Sequence, residues 1–296
     1  MVIVQPYLGR ILRRLHYRAA RDPVDDAYRG WNWDRPPVRP RGLFGLSMAD
    51  VVYRYCPVRR DVYLRRVLGL RGRESRAMVI GRIIHSVFHA ASSVFLEAST
   101  RYTDPVSIYE YMVQTARRRL EAMGVGDGDL GWALRLYRRL ALAYTGSAAM
   151  RMTWHPGSRP VEGFFWLTER HVDGSVLGLS QNLRVDAYGD GVVVEIKYGK
   201  YHDFQRLSLA GYALALEAEN ETPVDYGLLV HVNGVPEGEP SIRVWGFHID
   251  TLMRQRFLET RDEVIDMIMS DREPRKPPKN QCPEACPFYH ICWGGG

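Results

Sequence analysis

The stretch Arg184–Lys200, RVDAYGDGVVVEIKYGK, places an aspartate, a glutamate and a lysine around a run of valines. Asp190 and Gly191 form the kind of pair that is favoured at the centre of a two-residue type I′ turn. Such a turn pairs residue 189 with 192, 188 with 193, 187 with 194 and 186 with 195. The stretch therefore predicts a β-hairpin in which Asp186 lies opposite Glu195.

The charges of this hairpin have two interpretations. Directly opposed residues on neighbouring strands have Cβ atoms roughly 5 Å apart, so Asp186 and Glu195 repel each other unless a cation lies between them. Carboxylate oxygens suit Mg²⁺ or Mn²⁺, which would resolve the repulsion. Alternatively, the hairpin has a solvated polar face on which Arg184 and Lys197 neutralise both carboxylates. The hairpin residues alone leave both interpretations open.

Lys197 favours the metal site. Alternation along a strand puts Glu195 and Lys197 on one face and Val194 and Ile196 on the other, apolar face. The chain has 40 Lys and Arg residues, but only four are lysines, so a lysine at this position stands out. An amine has a removable proton, which a guanidinium group cannot supply.

An upstream histidine is the next candidate ligand. In MVIGRIIHSVFHAASSVF, Gly81 and His85 are four residues apart and share one face of a predicted helix. The missing side chain at Gly81 would let this helix approach a sheet closely, and neutral imidazole is a competent metal ligand. A hydrogen-bonded, partly buried histidine at His85 or His89 is the alternative.

The rest of the chain predicts helices, then a sheet, then alternating helices and strands. Ser47 is a predicted helix N-cap with Asp50 three residues later, and long helical patterns cover residues 74–98, 105–123 and 129–150. Alternating segments after residue 160 predict strands that turn at Asp173–Gly174 and again at Gly189–Gly191. The predicted fold class is α+β or α/β.

One integrated domain accommodates these elements. Its predicted parts are a basic N-terminal extension (1–46), a helical region (47–155), a sheet core (156–271) and a cysteine-rich tail (272–296). The proline-rich end of the first part suggests an arm lying over the domain, and its beginning could instead be a basic amphipathic helix.

Composition indicates a folded protein and leaves two explanations of its basic charge open. Hydrophobic residues make up 46% and charged residues 25%, which is ordinary for a soluble domain. The net charge of +6 comes almost wholly from arginine, which binds phosphate well, although a hot habitat or genome composition would also enrich arginine. A membrane span and a secretory signal are not apparent, so we expect a cytoplasmic protein.

The cysteines form the second candidate site. Three of the four lie in CPEACPFYHIC and the fourth lies far upstream: Cys56, Cys282, Cys286 and Cys292. In a reducing compartment clustered thiols are more often metal ligands than disulfides, and four thiolates suit a [4Fe–4S] cluster or zinc. Such a site would tie the proline-broken tail to the N-terminal helices.

Together these motifs resemble a known family. Gly-x-x-x-His on a helix, an Asp, Glu-x-Lys on the adjoining strand, a helix with Gln and Tyr, and one cysteine before and three after resemble the RecB-like branch of the PD-(D/E)XK nucleases. Among these the chain looks most like the CRISPR-associated iron-sulfur exonucleases and their longer archaeal subgroup. The similarity spans residues 47–293 and leaves the first 45 residues outside.

The resemblance implies a restriction-endonuclease-like core of the PD-(D/E)XK type, with a mixed central sheet flanked by helices, and it also implies a residue set. Its metal ligands would be His85, Asp186, Glu195 and the carbonyl of Ile196, with Mn²⁺ or Mg²⁺ as the ion. Lys197 would orient or deprotonate the attacking water, and the catalytic set would be Asp186, Glu195, Lys197, Gln205 and Tyr212. The four cysteines would hold a [4Fe–4S] cluster, with zinc as the alternative because the Cys-x3-Cys spacing departs from the two-residue spacing expected there.

One motif departs from the family pattern. The family commonly has Gln-x-x-x-Tyr, whereas here Ser208 lies four residues before Tyr212 and Gln205 lies seven before it. Residues 205, 208, 209 and 212 share one face if the helix includes them all, so Gln205 and Tyr212 can both point toward the site. The departure affects the role of Gln205 and not the metal ligands.

The resemblance implies an exonuclease that acts on single-stranded DNA ends, trims DNA for capture into a CRISPR array and works with other CRISPR adaptation proteins. The alternatives are a noncatalytic DNA-binding iron-sulfur subunit of an integration complex and a sequence-specific endonuclease. Basic residues near the His85 helix and the hairpin are predicted to hold the DNA backbone. This group is Arg59, Arg60, Arg65, Arg66, Arg82 and Lys200.

Overall fold

The computed structural model of the chain describes residues 5–162, 167–270, 272–284 and 286–294. The helices are α1 (Gln5–Arg21), α2 (Met48–Val52), α3 (Arg60–Arg66), α4 (Arg76–Arg101), α5 (Pro105–Ala122), α6 (Asp127–Trp154), α7 (Leu207–Asn220), α8 (Thr251–Met269) and α9 (Tyr289–Trp293). The strands are β1 (Leu167–Val172), β2 (Leu183–Gly189), β3 (Val192–Tyr198), β4 (Tyr226–Asn233) and β5 (Ser241–His248).

The five strands form one mixed sheet in the order β1-β2-β3-β4-β5. Strands β3 and β4 are parallel because α7 carries the chain between them, and the other neighbours are antiparallel. One sheet face packs on α4, α5 and α6, and the other packs on α2, α7 and α8. The predicted α+β fold class, with a mixed sheet flanked by helices, is confirmed.

The hairpin between β2 and β3 forms as the sequence predicts. Its pairs are Gly189 with Val192, Tyr188 with Val193 and Ala187 with Val194. Asp190 and Gly191 have φ angles of 48° and 72°, which is the left-handed conformation that a type I′ turn requires at both positions. A two-residue turn of this type fixes the register in which β2 pairs with β3.

The connection from β1 to β2 differs from the prediction. Instead of a tight turn at Asp173–Gly174, the chain forms a short 3₁₀ helix over Ser175–Leu177 before β2 starts. The Asp173 carboxylate accepts a hydrogen bond from the backbone N–H of Ser175 at 2.8 Å. This local bond favours a helical turn over a two-residue hairpin loop, so the register of β1 differs as well.

The N-terminal region is an integral part of the fold. Its first segment is the regular helix α1, which packs on β5: a Cβ atom at Gly246 would lie only 2.2 Å from Ile11 Cγ2. Farther along, Gly30 approaches α7 so closely that a Cβ atom would lie 2.0 Å from the Leu214 carbonyl oxygen. The guanidinium group of Arg29 also bonds the buried Glu217 at 2.8 Å. The predicted amphipathic helix is present as α1, whose apolar residues Ile11 and Leu15 lie against β5.

Helix α4 runs through the interior and carries the candidate histidine. Among the described helices, α4 has the length and apolar composition of a membrane span, with a mean hydropathy of 1.4 in its most apolar window. However, 56% of that window is buried inside the protein. Its apolar side is thus used for packing against α5, α6 and the sheet.

Candidate active site

The candidate site lies where β2 separates from β3. The paired residues end at Ala187 and Val194, one position before Asp186 would pair with Glu195. The backbone N–H of Ile196 donates instead to Asp186 Oδ2 at 2.6 Å. The aspartate carboxylate thus takes the place of a strand carbonyl, which holds it at the gap between the two strands.

Helix α4 brings His85 to this gap. Its Nδ1 atom lies 3.0 Å from Asp186 Oδ1, and the His85 side chain is 30% exposed. Burial lowers the pKa of His85, but the charge and hydrogen bond of Asp186 outweigh burial and raise it. Gly81 plays no part in this approach, since a Cβ atom there would meet nothing within 4 Å. The predicted role of Gly81 is therefore wrong, although the position of His85 beside Asp186 agrees with the predicted site.

Glu195 and Lys197 form a buried ion pair beside Asp186. The Lys197 ammonium donates to Glu195 Oε1, and it also lies 5.0 Å from the centre of the Tyr53 ring. Burial lowers the pKa of Lys197, but Glu195 and its other neighbours outweigh burial and raise it. Burial raises the pKa of Glu195, and the charge of Lys197 opposes that rise. Lys197 is therefore an ammonium ion while it pairs with Glu195.

The donor atoms fit a divalent cation. Glu195 is 2% exposed, and its Oε2 atom has no hydrogen-bond partner among the described residues. A buried carboxylate oxygen without a partner is costly, and a cation would satisfy it. An imidazole nitrogen and carboxylate oxygens are ligands that Mn²⁺ accepts, and carboxylates also suit Mg²⁺. This arrangement supports the predicted ligands His85, Asp186 and Glu195.

A further carboxylate, which the sequence analysis missed, belongs to the same neighbourhood. Glu169 on β1 lies opposite Asp186, between the pairs Thr168–Ala187 and Arg170–Val185. Its Oε1 atom is 3.9 Å from His85 Nδ1. A tight turn at residues 173 and 174 would have paired residue 169 with residue 178. The predicted turn therefore does not place Glu169 beside Asp186.

Tyr212 lies close to the acidic residues, whereas Gln205 does not contact them. Burial raises the pKa of Tyr212 well above its usual value, and the nearby charges of Glu195 and Asp186 add to that rise. Gln205 belongs to a 3₁₀ turn before α7 and does not share its helical face. Its Oε1 atom lies 3.0 Å from Nε2 of His231, a residue on β4 that pairs with Lys197. Gln205 is thus one residue removed from the candidate site.

Tyr53 is a neighbour of Lys197 that sequence reasoning did not identify. Burial raises the pKa of Tyr53 to about 12, with Lys197 opposing and Glu195 adding to the rise. The residue lies just before Cys56 in the chain, at the end of α2, so only the tertiary fold brings its ring to β3. A neutral phenol with an aromatic face stabilises the ammonium group without removing its charge.

The four cysteines lie near one another where the tail packs against α3. The tail packs there through Phe288 and Cys292, which contact Leu64, and the backbone N–H of Arg73 donates to the Pro287 carbonyl at 2.9 Å. Burial raises the pKa of Cys286 to about 11, and Cys282 and Cys56 contribute to that rise. Burial also raises the pKa of Cys282, with contributions from Cys292 and Cys56. The thiols are thus close enough to influence one another's ionisation.

Comparison with known proteins identifies the family of the chain. A family model described as CRISPR-associated exonuclease Csa1 matches residues 1–295. The chain belongs to this family of CRISPR-associated exonucleases. A relative from Thermoproteus tenax named CRISPR-associated exonuclease Csa1 is 35% identical over 296 residues, which cover 96% of this chain and 97% of the relative. A protein of the same name from Saccharolobus solfataricus is 33% identical over 283 residues, covering 91% and 92% of the two chains. No solved structure matches.

The predicted kinship with CRISPR-associated exonucleases is confirmed, with one correction to its extent. The sequence analysis left the first 45 residues outside the resemblance, whereas the Csa1 family match begins at residue 1. The fold gives the physical reason, because α1 covers β5 and Arg29 bonds Glu217 on α7. The N-terminal region is therefore part of the Csa1 family fold and not an appendage.

Most of the predicted DNA-contacting arginines bind other parts of the protein. Arg59 is 8% exposed and donates to the carbonyls of Asp50 and Val51. Its predicted DNA contact is therefore wrong, because its guanidinium group holds α2 to the start of α3. Arg65 and Arg66 both pair with the buried Asp50, at 2.7 and 2.5 Å.

The remaining members of this group differ in their surroundings. Arg60 bonds Glu273 and the Pro274 carbonyl, so it helps to hold the tail. Arg82 pairs with Glu74 but stays 64% exposed, and Lys200 is exposed as well. A phosphate contact at Arg82 or Lys200 stays a prediction.

Proposed function

We propose that the chain is a divalent-metal-dependent DNA exonuclease that acts on single-stranded ends and trims DNA before its capture into a CRISPR array. The observation that carries this proposal is the unpartnered Oε2 atom of the buried Glu195, beside Asp186, His85 and Lys197. A buried carboxylate oxygen without a partner costs free energy, and a bound cation would offset that cost. The exonuclease names of its relatives support the same activity.

The residues of the site have separable tasks. His85, Asp186, Glu195 and the Ile196 carbonyl would hold Mn²⁺ or Mg²⁺. An ion held there would supply Lewis-acid chemistry, lowering the pKa of a coordinated water and stabilising charge on the phosphate oxygens. Lys197 is an ammonium ion in this arrangement, so it acts as a hydrogen-bond donor that orients the attacking water or binds a phosphate oxygen. Tyr53 and Tyr212 are neutral phenols buried near Lys197 and Glu195, because burial raises the pKa of both.

We also propose that the four cysteines bind a [4Fe–4S] cluster with a structural task. Cys292 packs with Leu64 of α3 and with Phe288, and Cys286 packs against the same cluster. Metal–thiolate bonds would hold together two segments that are far apart in sequence. Zinc would serve the same purpose, and elemental analysis distinguishes the two.

Degradation of three DNA substrates tests the proposed activity. We expect the wild-type protein to shorten an end-labelled single strand with Mn²⁺ or Mg²⁺, to leave a closed circular duplex intact, and to be inactive with EDTA. The rate on a blunt duplex of the same sequence, compared with the rate on the single strand, measures the preference for single-stranded ends. Cutting of closed circles at fixed positions would favour a sequence-specific endonuclease, and DNA binding without degradation in either metal would favour a noncatalytic subunit.

A further inference from the structure

We propose that Glu169 is an additional ligand of the divalent cation, on the side of Asp186 away from Glu195. This inference rests on the proposed metal-dependent activity and extends its ligand set. The strand register places three carboxylates in consecutive positions across β1, β2 and β3, with Glu169 opposite Asp186 and Glu195 next in line. Neighbouring carboxylates on adjacent strands favour the binding of a cation, and here Lys197, His85 and Arg184 each also pair with one of the three.

The distances around His85 are those of a ligand set. His85 Nδ1 lies 3.0 Å from Asp186 Oδ1 and 3.9 Å from Glu169 Oε1. The ligand atoms of all three residues lie within 4.8 Å of one another. Ligands placed about 2.1 Å from an octahedral cation are roughly 3 to 4.2 Å apart. A cation therefore fits among these three residues with small side-chain adjustments.

The orphaned oxygen of Glu195 points to a ligand independently of this cluster. Glu195 is nearly fully buried, follows Asp186 in the same row of carboxylates, and has no partner for Oε2 among the described residues. Asp186 is therefore flanked by Glu195 on one side and by His85 and Glu169 on the other. Glu169 would complete the ligand set on the side of Asp186 away from Glu195, where the ligand atoms of His85, Glu169 and Asp186 lie within 4.8 Å of one another.

An ion pair between Glu169 and Arg184 is the competing explanation. Arg184 Nη1 lies 3.0 Å from Glu169 Oε2, and its side chain is 60% exposed. This pair uses one carboxylate oxygen and leaves Oε1 directed at His85. Both residues line a pocket of about 260 Å³ that also contains His85, so a cation can reach Glu169 from solvent. Arg184 thus orients the Glu169 carboxylate through Oε2 and leaves Oε1 available to a cation.

Calorimetric titration with Mn²⁺, in the absence of DNA, separates the two explanations. We expect Glu169→Gln to weaken Mn²⁺ binding by roughly 10- to 100-fold, the range seen when groups around a metal are removed. Arg184→Gln removes the ion pair but keeps the carboxylate, and it also removes a nearby positive charge. We expect it to leave Mn²⁺ binding unchanged or tighter.

Two outcomes would overturn this assignment without touching the proposed function. Both outcomes require that the wild-type protein binds Mn²⁺ and degrades DNA. The first is a Glu169→Gln variant that binds Mn²⁺ with wild-type affinity. The second is an equal loss of Mn²⁺ affinity in Glu169→Gln and Arg184→Gln. A wild-type protein that binds no Mn²⁺ would instead overturn the proposed function and this inference with it. Glu169→Asp keeps the negative charge but moves it back by one methylene group, and it replaces Glu169→Gln if that variant fails to fold. We expect Glu169→Asp to bind Mn²⁺ more weakly as well.

A second inference concerns a basic surface that the sequence analysis did not assign. We infer that α1 binds the phosphate backbone of the DNA substrate. Five of its arginines are exposed, and none forms an ion pair with a residue that the structure describes. They are Arg10, Arg13, Arg14, Arg18 and Arg21. Their spacing puts them on one side of the helix, in contrast to the ion-paired arginines of α3.

The packing of α1 favours nucleic acid over a membrane surface. A basic amphipathic helix that binds lipid inserts its apolar side into the bilayer. Here the apolar side is used by the fold, because Ile11 and Leu15 pack directly over Gly246 of β5. Only the basic side faces solvent, and guanidinium groups without partners are suited to phosphates.

A row of aromatic rings links this helix with the candidate site. Trp245 lines a groove with Arg14 and Arg18, and its ring lies 5.1 Å from that of His231. His231 is the strand neighbour of Lys197, and the ring of Tyr201 lies 5.3 Å from that of Trp245. Aromatic rings beside a basic surface are the usual elements of a single-strand binding path.

Salt-dependent binding to a single strand in EDTA tests this surface without degradation. We expect Arg10→Gln/Arg14→Gln to reduce the slope of log Kd against log[NaCl] by roughly 1.4, which corresponds to two phosphate contacts. The control Arg118→Gln/Arg138→Gln removes two exposed arginines of α5 and α6, and we expect it to keep the wild-type slope. Equal slopes for all three proteins would overturn the inference. So would unchanged DNA binding together with weaker binding to phosphatidylserine vesicles.

Discussion

Lys197→Met is expected to slow degradation of single-stranded DNA ends by roughly 10² to 10³-fold, the cost of losing one preorganised charged donor. The ammonium group of Lys197 is held between Glu195 and the Tyr53 ring, so it has a defined position from which to orient water or phosphate. Methionine fills similar volume without a donor. Single-turnover rates at saturating Mn²⁺ measure the effect directly.

Mn²⁺ affinity distinguishes a lost donor from a lost metal site. We expect Lys197→Met to bind Mn²⁺ at least as tightly as the wild type, because removal of the ammonium group frees Glu195 for the ion. Glu195→Gln is expected to lose both Mn²⁺ binding and activity. Lys279→Met, which changes an exposed lysine in the tail, is the control for a lost positive charge. Wild-type rates in both Lys197→Met and Glu195→Gln would contradict the proposed site.

Cys292→Ser is expected to abolish the visible absorption of the purified protein and to lower its free energy of unfolding by about 5 kcal/mol. This magnitude corresponds to the entropy of closing a very long loop, here between Cys56 and the tail. Cys292 is 7% exposed and packs on Leu64 and Phe288, so the loss of a bond at Cys292 also loosens the tail from α3. Urea denaturation with iron, sulfide and zinc analysis provides the measurement.

A packing variant controls for damage to the same region. Trp293→Phe alters the neighbour of Cys292 but leaves all four thiols, so we expect it to keep its metal and most of its stability. A colourless wild-type protein with stoichiometric zinc would replace the cluster with a zinc site. A wild-type protein with neither metal, and with the stability of Cys292→Ser, would contradict the whole assignment.

The central hairpin is an element whose structure nearby residues alone determine. Its register follows from Asp190 and Gly191, because a type I′ turn permits only one pairing of the flanking residues. The capping box of α2 is equally local, since Ser47 and Asp50 satisfy each other's backbone N–H groups. Asp186, Glu195 and Lys197 were therefore predictable as neighbours from one short segment.

Other features depend on contacts that local patterns do not encode. Glu169 reaches Asp186 through a connection that contains a 3₁₀ helix instead of a tight turn. Gln205 is directed to His231 by the 3₁₀ turn that precedes α7. The arginines around α3 illustrate the same difficulty. A basic cluster in sequence looks available to DNA until the fold supplies Asp50 and Glu273 as partners.

By itself, the sequence determined the hairpin, the main helices and strands, the candidate ligands His85, Asp186 and Glu195, and the kinship with CRISPR-associated exonucleases. Hydrogen bonds and side-chain alternation within a few residues specify such elements, so they can be read without distant contacts. The tertiary structure alone decided that Glu169 joins the carboxylates, that Tyr53 faces Lys197, and which arginines remain free of ion pairs. These outcomes depend on long-range packing, which brings charges from separate segments together.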